Sequence, residues 1–91
     1  MTRSEARQIA LGFVKDQQAR SGIELSLVDE STIERDFGWV FFYGSKTFVE
    51  AGEVQYLVAG NAPIVITRSD GRIHETGTAS PIEHYLRKFS Q

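Results

Sequence analysis

The sequence predicts an α+β domain: an N-terminal helix packed on a curved antiparallel sheet of about four strands, then a short C-terminal helix. Three observations predict it. Apolar residues recur at helical spacing near the N-terminus, behind a capping box. The middle of the chain holds short runs of strand-forming residues, the last two separated by Asp70-Gly71. Near the end, Ser80-Pro81-Ile82-Glu83 has the form of a helix start.

The first helix is anchored by Thr2 and Glu5. At this spacing the hydroxyl accepts from the backbone N–H three residues on, and the carboxylate accepts from the Thr2 N–H. Ala6, Ile9, Ala10, Phe13 and Val14 then form one apolar stripe, while Arg7, Lys15, Asp16 and Gln18 fall mostly off it. Gly22 suits the left-handed turn that ends a helix. Such a stripe needs an apolar surface to lie on.

Ile23, Leu25 and Leu27 alternate with Glu24 and Ser26, the period of a half-buried strand. The strand is expected to continue, bent, through Ser31-Thr32-Ile33-Glu34. Arg35 to Gly38 reads as a turn. Trp39-Val40-Phe41-Phe42-Tyr43 contains no charged or amide side chain, so both faces of this strand ask for burial and its place is central. Residues 46–61 are the least determined; Val54 to Val58 reads as a short strand or a helical turn. Gly60-Asn61-Ala62-Pro63 punctuates the chain. Ile64 to Arg68 and Ile73 to Thr76 form a hairpin about Ser69-Asp70-Gly71, either with a type I′ turn or with a type I turn and Gly71 in a bulge. In the last segment Ser80 is expected to cap a helix with Pro81 in its first position. Ile82, Tyr85, Leu86 and Phe89 share one face of it. Short connections imply antiparallel neighbours. The element order is compatible with a cystatin-like arrangement.

The totals bound the function. Ninety-one residues with 41% hydrophobic and 24% charged residues are read as a single domain, residues 1–91. There is no cysteine, which removes disulfides, thiol nucleophiles and cysteine-based zinc sites. The N-terminal stretch carries charges throughout and does not read as a signal peptide. No apolar run approaches the ~20 residues of a membrane helix. A net charge of −2 does not suggest a nucleic-acid partner.

Charge is unevenly placed. Asp29, Glu30, Glu34, Asp36, Glu50 and Glu53 stand against Arg35 and Lys46 in one stretch, while the first helix and the C-terminal end lean basic. The stretch reads either as solvated surface or as a face that meets a basic partner. For catalysis the material is thin. His74 and His84 are the only imidazoles. A Ser80/Glu83/His84 grouping fails because a capping serine is turned to its own backbone and no nucleophile-elbow motif surrounds it. A two-histidine metal site lacks an indicated third ligand. No phosphate loop or calcium loop is present. The expectation is therefore a protein that is not an enzyme, with no cofactor and no metal.

Gly38-Trp39 opening an aromatic strand, Gly60-Asn61-Ala62-Pro63 leading into a hydrophobic one, Asp70-Gly71, Gly77-Thr78-Ala79-Ser80-Pro81 and Glu83-His84-Tyr85-Leu86 occur here in order. In this combination the chain resembles the immunity protein 35 family, which includes small YrhB-like proteins. The resemblance implies a bacterial cytoplasmic protein that binds a cognate polymorphic or contact-dependent toxin domain and occludes its active site. A small holdase chaperone is the alternative it leaves. The expected toxin-binding residues are Asp29, Glu30, Glu34, Asp36, Trp39, Glu50 and Glu53, with one aromatic ring exposed for the partner. The protein is expected to be a monomer, or a homodimer formed by sheet extension.

Overall fold

Helix α1 runs over Arg3–Ser21 and is fixed at both ends as its sequence dictates. The Thr2 side chain accepts from the Glu5 N–H at 3.2 Å, and the Glu5 carboxylate accepts from the Thr2 N–H at 2.8 Å. Gly22 closes the helix at φ 73°, its N–H donating to the Gln18 carbonyl. In this computed structural model, which describes residues 1–51 and 62–89, the stripe of α1 lies on the sheet through buried Ala6, Ala10 and Val14. The expectations for Glu53, Val54 to Val58 and Gly60-Asn61 fall outside the described residues.

The strands are β1 (Leu25–Leu27), β2 (Ile33–Arg35), β3 (Gly38–Phe41), β4 (Tyr43–Ser45), β5 (Ile64–Thr67) and β6 (Ile73–Glu75). A short helix α2 (Lys46–Ala51) follows β4, and α3 (Ile82–Leu86) follows β6, prolonged by a 3-10 turn over Arg87–Phe89. β2-β3-β5-β6 form a four-stranded antiparallel sheet in that order, and among the described residues β1 pairs with β4 alone. The expected architecture is thus present: α+β, an N-terminal helix on an antiparallel sheet, a short helix at the end.

The continuous aromatic strand divides at Phe42. Its first part pairs with β2 and β5, its second with β1. The chain opposite is longer. Val28 N–H donates to the Phe42 carbonyl and Ile33 faces Val40, so residues 29–32 lie opposite Phe41 alone. A 3-10 turn at Asp29–Ser31 takes up the excess. The predicted bent continuation exists, but as two ladders joined by this insertion. Ile23 lies outside β1 and is 54% exposed, because the helix cap at Gly22 sets the chain's direction before the ladder begins.

Side chains alternate through Phe42 without interruption. Trp39, Phe41, Tyr43, Ile64 and Ile66 pack under α1 with Leu27. Val40 and Val65 point the other way, against Leu86, with Ile33, Phe37, Phe42, Ile82 and Phe89 around them. Each fully buried side chain of this kind contributes about 1.5–3 kcal/mol relative to exposure. This is why the two inner strands read as unbroken apolar runs.

Two local expectations are corrected. The β5–β6 loop is neither the two-residue turn nor the simple bulge. Thr67 N–H donates to the Arg72 carbonyl, and Gly71, at φ 67°, donates to the Thr67 carbonyl. Ser80 does not cap α3: the residue preceding the helix is Pro81, and no side-chain capping bond forms. The chain is still bending at residues 78–80, so the hydroxyl is not placed over the first turn.

Gly38 sits where β2 turns into β3, at φ 152°, with Arg68 N–H bonded to the neighbouring Phe37 carbonyl at 2.8 Å. A Cβ here would lie 2.1 Å from the Ile66 carbonyl oxygen, which belongs to the backbone and cannot swing aside. Gly38→Ala is expected to destabilise the protein by on the order of 3 kcal/mol or more in urea denaturation. Gly12→Ala is the control. That position is helical, exposed and open, and the substitution should stabilise by about 0.5–1 kcal/mol.

Candidate functional site

The acidic stretch is carried on three pieces of backbone: the 3-10 turn, the β2–β3 hairpin and α2. On the first and last pieces Asp29 and Glu50 are held by cations. Asp29 receives a two-pronged hydrogen bond from Arg7, Nε to Oδ1 at 2.8 Å and Nη2 to Oδ2 at 2.9 Å. The planar fork of the guanidinium matches the carboxylate, so α1 and the turn are joined at a defined angle. The Arg7 hydrogen bonds hold the Asp29 carboxyl below the ordinary range, against the opposing effect of partial burial. Glu50 lies 3.9 Å from Lys46, one helical turn back, and Lys46 is also 4.0 Å from Glu24.

The hairpin is organised by Arg68, just beyond β5. Its Nη2 donates to the Arg35 carbonyl at 2.9 Å, its Nε to the Asp36 carbonyl at 3.3 Å, and Nη2 also meets Glu34 Oε2 at 3.4 Å. Its guanidinium carbon lies 4.3 Å from the centroid of the Trp39 ring. The pairing register explains the assembly. Glu34 faces Trp39, Trp39 faces Ile66, and Arg68 stands two residues past Ile66 on the same face. The Arg68 side chain is still 37% exposed, and cation–π contacts at exposed sites are worth about 0.5–1 kcal/mol.

Trp39 itself is 1% exposed. The expectation of a ring open to a partner is therefore not met at this position. The alternation of β3 turns the indole under α1, and the Arg68 guanidinium lies over the ring. Its Nε1–H has no hydrogen-bond acceptor among the described residues. Glu30 and Asp36 are exposed and their carboxylates take part in no ion pair among the described residues. Glu53 lies outside them. The expected face therefore contains two free carboxylates, three that are held, and one buried aromatic.

The histidines go elsewhere. His74 Nε2 is 3.3 Å from Thr67 Oγ1, and the hydroxyl in turn donates to Asp70. The His74 ring meets Phe89 edge-on with centroids 5.0 Å apart, and Phe89 stacks on Phe37 at 5.3 Å. His84 is exposed beside Tyr85. Glu83 is taken by Arg35. Ser80, Glu83 and His84 thus do not assemble, although for a different reason from the capping expected of Ser80. Among the described residues no group of three or more His, Asp or Glu side chains is placed to hold a metal ion.

Sequence reasoning missed Arg68. It reads as the polar end of a strand, and only the cross-strand register reveals that its side chain reaches Trp39 and two carbonyls of the opposite turn.

A family model described as immunity protein 35 matches residues 4–88. Uncharacterized protein YrhB of Escherichia coli (strain K12) is 42% identical over 52 residues. That stretch is 57% of this chain and 55% of the relative, so the match spans about half the length of each. No solved structure matches the chain.

Two outcomes test the geometry. The chain has a single Trp, so its fluorescence reports the Arg68 contact directly. Arg68→Ala should increase acrylamide quenching of Trp39 and lower stability by about 1–2 kcal/mol; unchanged quenching would mean the ring is shielded by other groups. For Asp29 the folded-state carboxyl is lowered, so its contribution is fully present above about pH 4 and is lost as pH falls through the lower, folded-state value. The pair is exposed, so the effect is under about 1 kcal/mol. Asp29→Asn should flatten this acid limb in urea titrations at stepped pH.

Proposed function

The chain belongs to the immunity protein 35 family, and from that premise we propose that it is a bacterial immunity protein that binds a cognate toxin domain and occludes its active site. The toxin would belong to a polymorphic or contact-dependent system, and protection would take place in the producer's cytoplasm. The observation that carries the reading is the family match across residues 4–88. In this reading residues 1–91 act as one domain and the protein is not a catalyst. Occlusion asks for a preformed, rigid surface and no chemistry.

The proposed face is the acidic one, with its parts given different work. Glu30 and Asp36 are the carboxylates that meet cations of the toxin. Asp29, Glu34 and Glu50 are held by Arg7, Arg68 and Lys46 and give the face its shape. Glu53 is assigned to the same face by sequence alone. Trp39 supports the hairpin from beneath through Arg68. Preformed charge of this kind mainly speeds association and selects the partner. A holdase would need a contiguous exposed apolar surface. The large exposed apolar side chains among the described residues are three, Met1, Ile23 and Ile73, and this small number favours the immunity reading.

The test is co-expression with the toxin domain encoded beside this chain. Growth should be rescued, and a one-to-one complex should be isolated. The double reversal Glu30→Lys, Asp36→Lys should slow association by about tenfold or more with unchanged thermal stability. Absence of a complex and of rescue would overturn the proposal.

A further inference from the structure

The ladder between β1 and β4 has a second side. Glu24 and Val28 make their backbone bonds to Lys46 and Phe42. In an antiparallel pair every other residue bonds inward, so the N–H and C=O groups of Leu25 and Leu27 point away from β4. That open edge faces a groove of about 280 Å³ against α1, floored by Leu11 and Val14 and flanked by Arg7 and Lys15.

Three features say what fits there. First, the Leu25 N–H is taken by the side-chain carbonyl of Gln18 at 2.9 Å. An amide oxygen already occupies the position that the carbonyl of an added strand would take. Second, the Leu27 N–H and the Leu25 carbonyl have no hydrogen-bond partner among the described residues, and Leu27 is only 6% exposed. Third, the charges do not cancel. Arg7 is neutralised by Asp29, while Lys15 forms no ion pair among the described residues.

We propose that the open edge of β1 is a strand-addition site for an extended segment of a partner protein that carries a carboxylate. The added strand replaces the Gln18 carbonyl at Leu25, bonds Leu27, and sets its carboxylate against Lys15. This goes beyond the occlusion reading and does not depend on it, since the acidic hairpin plays no part.

The test titrates the isotope-labelled full chain with an acetylated hexapeptide alternating Val and Glu, followed by amide NMR. Saturable shifts are expected at Leu25 to Val28, at the Gln18 side chain and around Lys15. A Val/Lys peptide should bind more weakly. Lys15→Glu should weaken the Val/Glu peptide about two- to fivefold, the range of an exposed ion pair, and its peptide-free spectrum reports that the fold is kept. A peptide N-methylated at alternate residues loses its strand donors and should not bind. Equal binding of the methylated peptide, or no saturable shift at Leu27, would overturn strand addition. Shifts of the same amides on dilution, without peptide, would identify a second copy of this chain as the occupant and overturn the proposal likewise.

Discussion

The structure depends on burying two strands from both sides. β3 and β5 carry Trp39, Phe41, Ile64 and Ile66 toward α1, and Val40 and Val65 toward the C-terminal helix. Neither helix could be stable alone. α1 has a narrow buried stripe of small residues, and α3 spans only Ile82–Leu86. Each is kept by the apolar face it covers, and the sheet in turn has no solvated face at its centre. The surface available for function is therefore displaced outward, to the hairpin tip, the 3-10 turn and the strand edges.

That displacement explains how charge is used. Carboxylates that look like one acidic block in the sequence are spread over three backbone pieces, and two of them, Asp29 and Glu34, are tied to a cation contributed by another element. Arg7 ties the 3-10 turn to α1, and Arg68 ties the β2–β3 turn to the end of β5. These bonds contribute modestly to stability, as exposed pairs do. Their larger effect is geometric. They hold surface segments that have little apolar anchorage of their own, and a surface held in its bound shape loses less entropy when a partner arrives.

Much of the fold was legible in the sequence because it is governed by periodicity. The α1 stripe, its capping box and its Gly22 stop were read from spacing alone and are present. So were the central strand and the Asp70-Gly71 hairpin. The break at Phe42 was not legible, since alternation continues through it and only the pairing partner changes. The failed cap at Ser80 shows the opposite limit: a motif can be present while the backbone that must present it is bent. Of the candidate site, the acids Asp29, Glu30, Glu34, Asp36 and Glu50 were visible as composition. Their ion partners were not, because Arg7 and Asp29 are separated by 22 residues and Arg68 and Glu34 by 34. The burial of the Trp39 strand was legible in its apolar run, but not the contact with Arg68, which lies 29 positions further along the chain.

The 3-10 insertion opposite Phe41 has one further consequence. Side chains in a strand change face with every residue, so a single insertion within a ladder would turn a buried row outward. Between Val28 and Ile33 the two ladders are not in a common register, and the turn already accommodates the mismatch. Residues gained or lost there leave Leu27 facing Tyr43 and Ile33 facing Val40. The length of the segment bearing Asp29 and Glu30 is thus uncoupled from the facing of the core rows on either side of it.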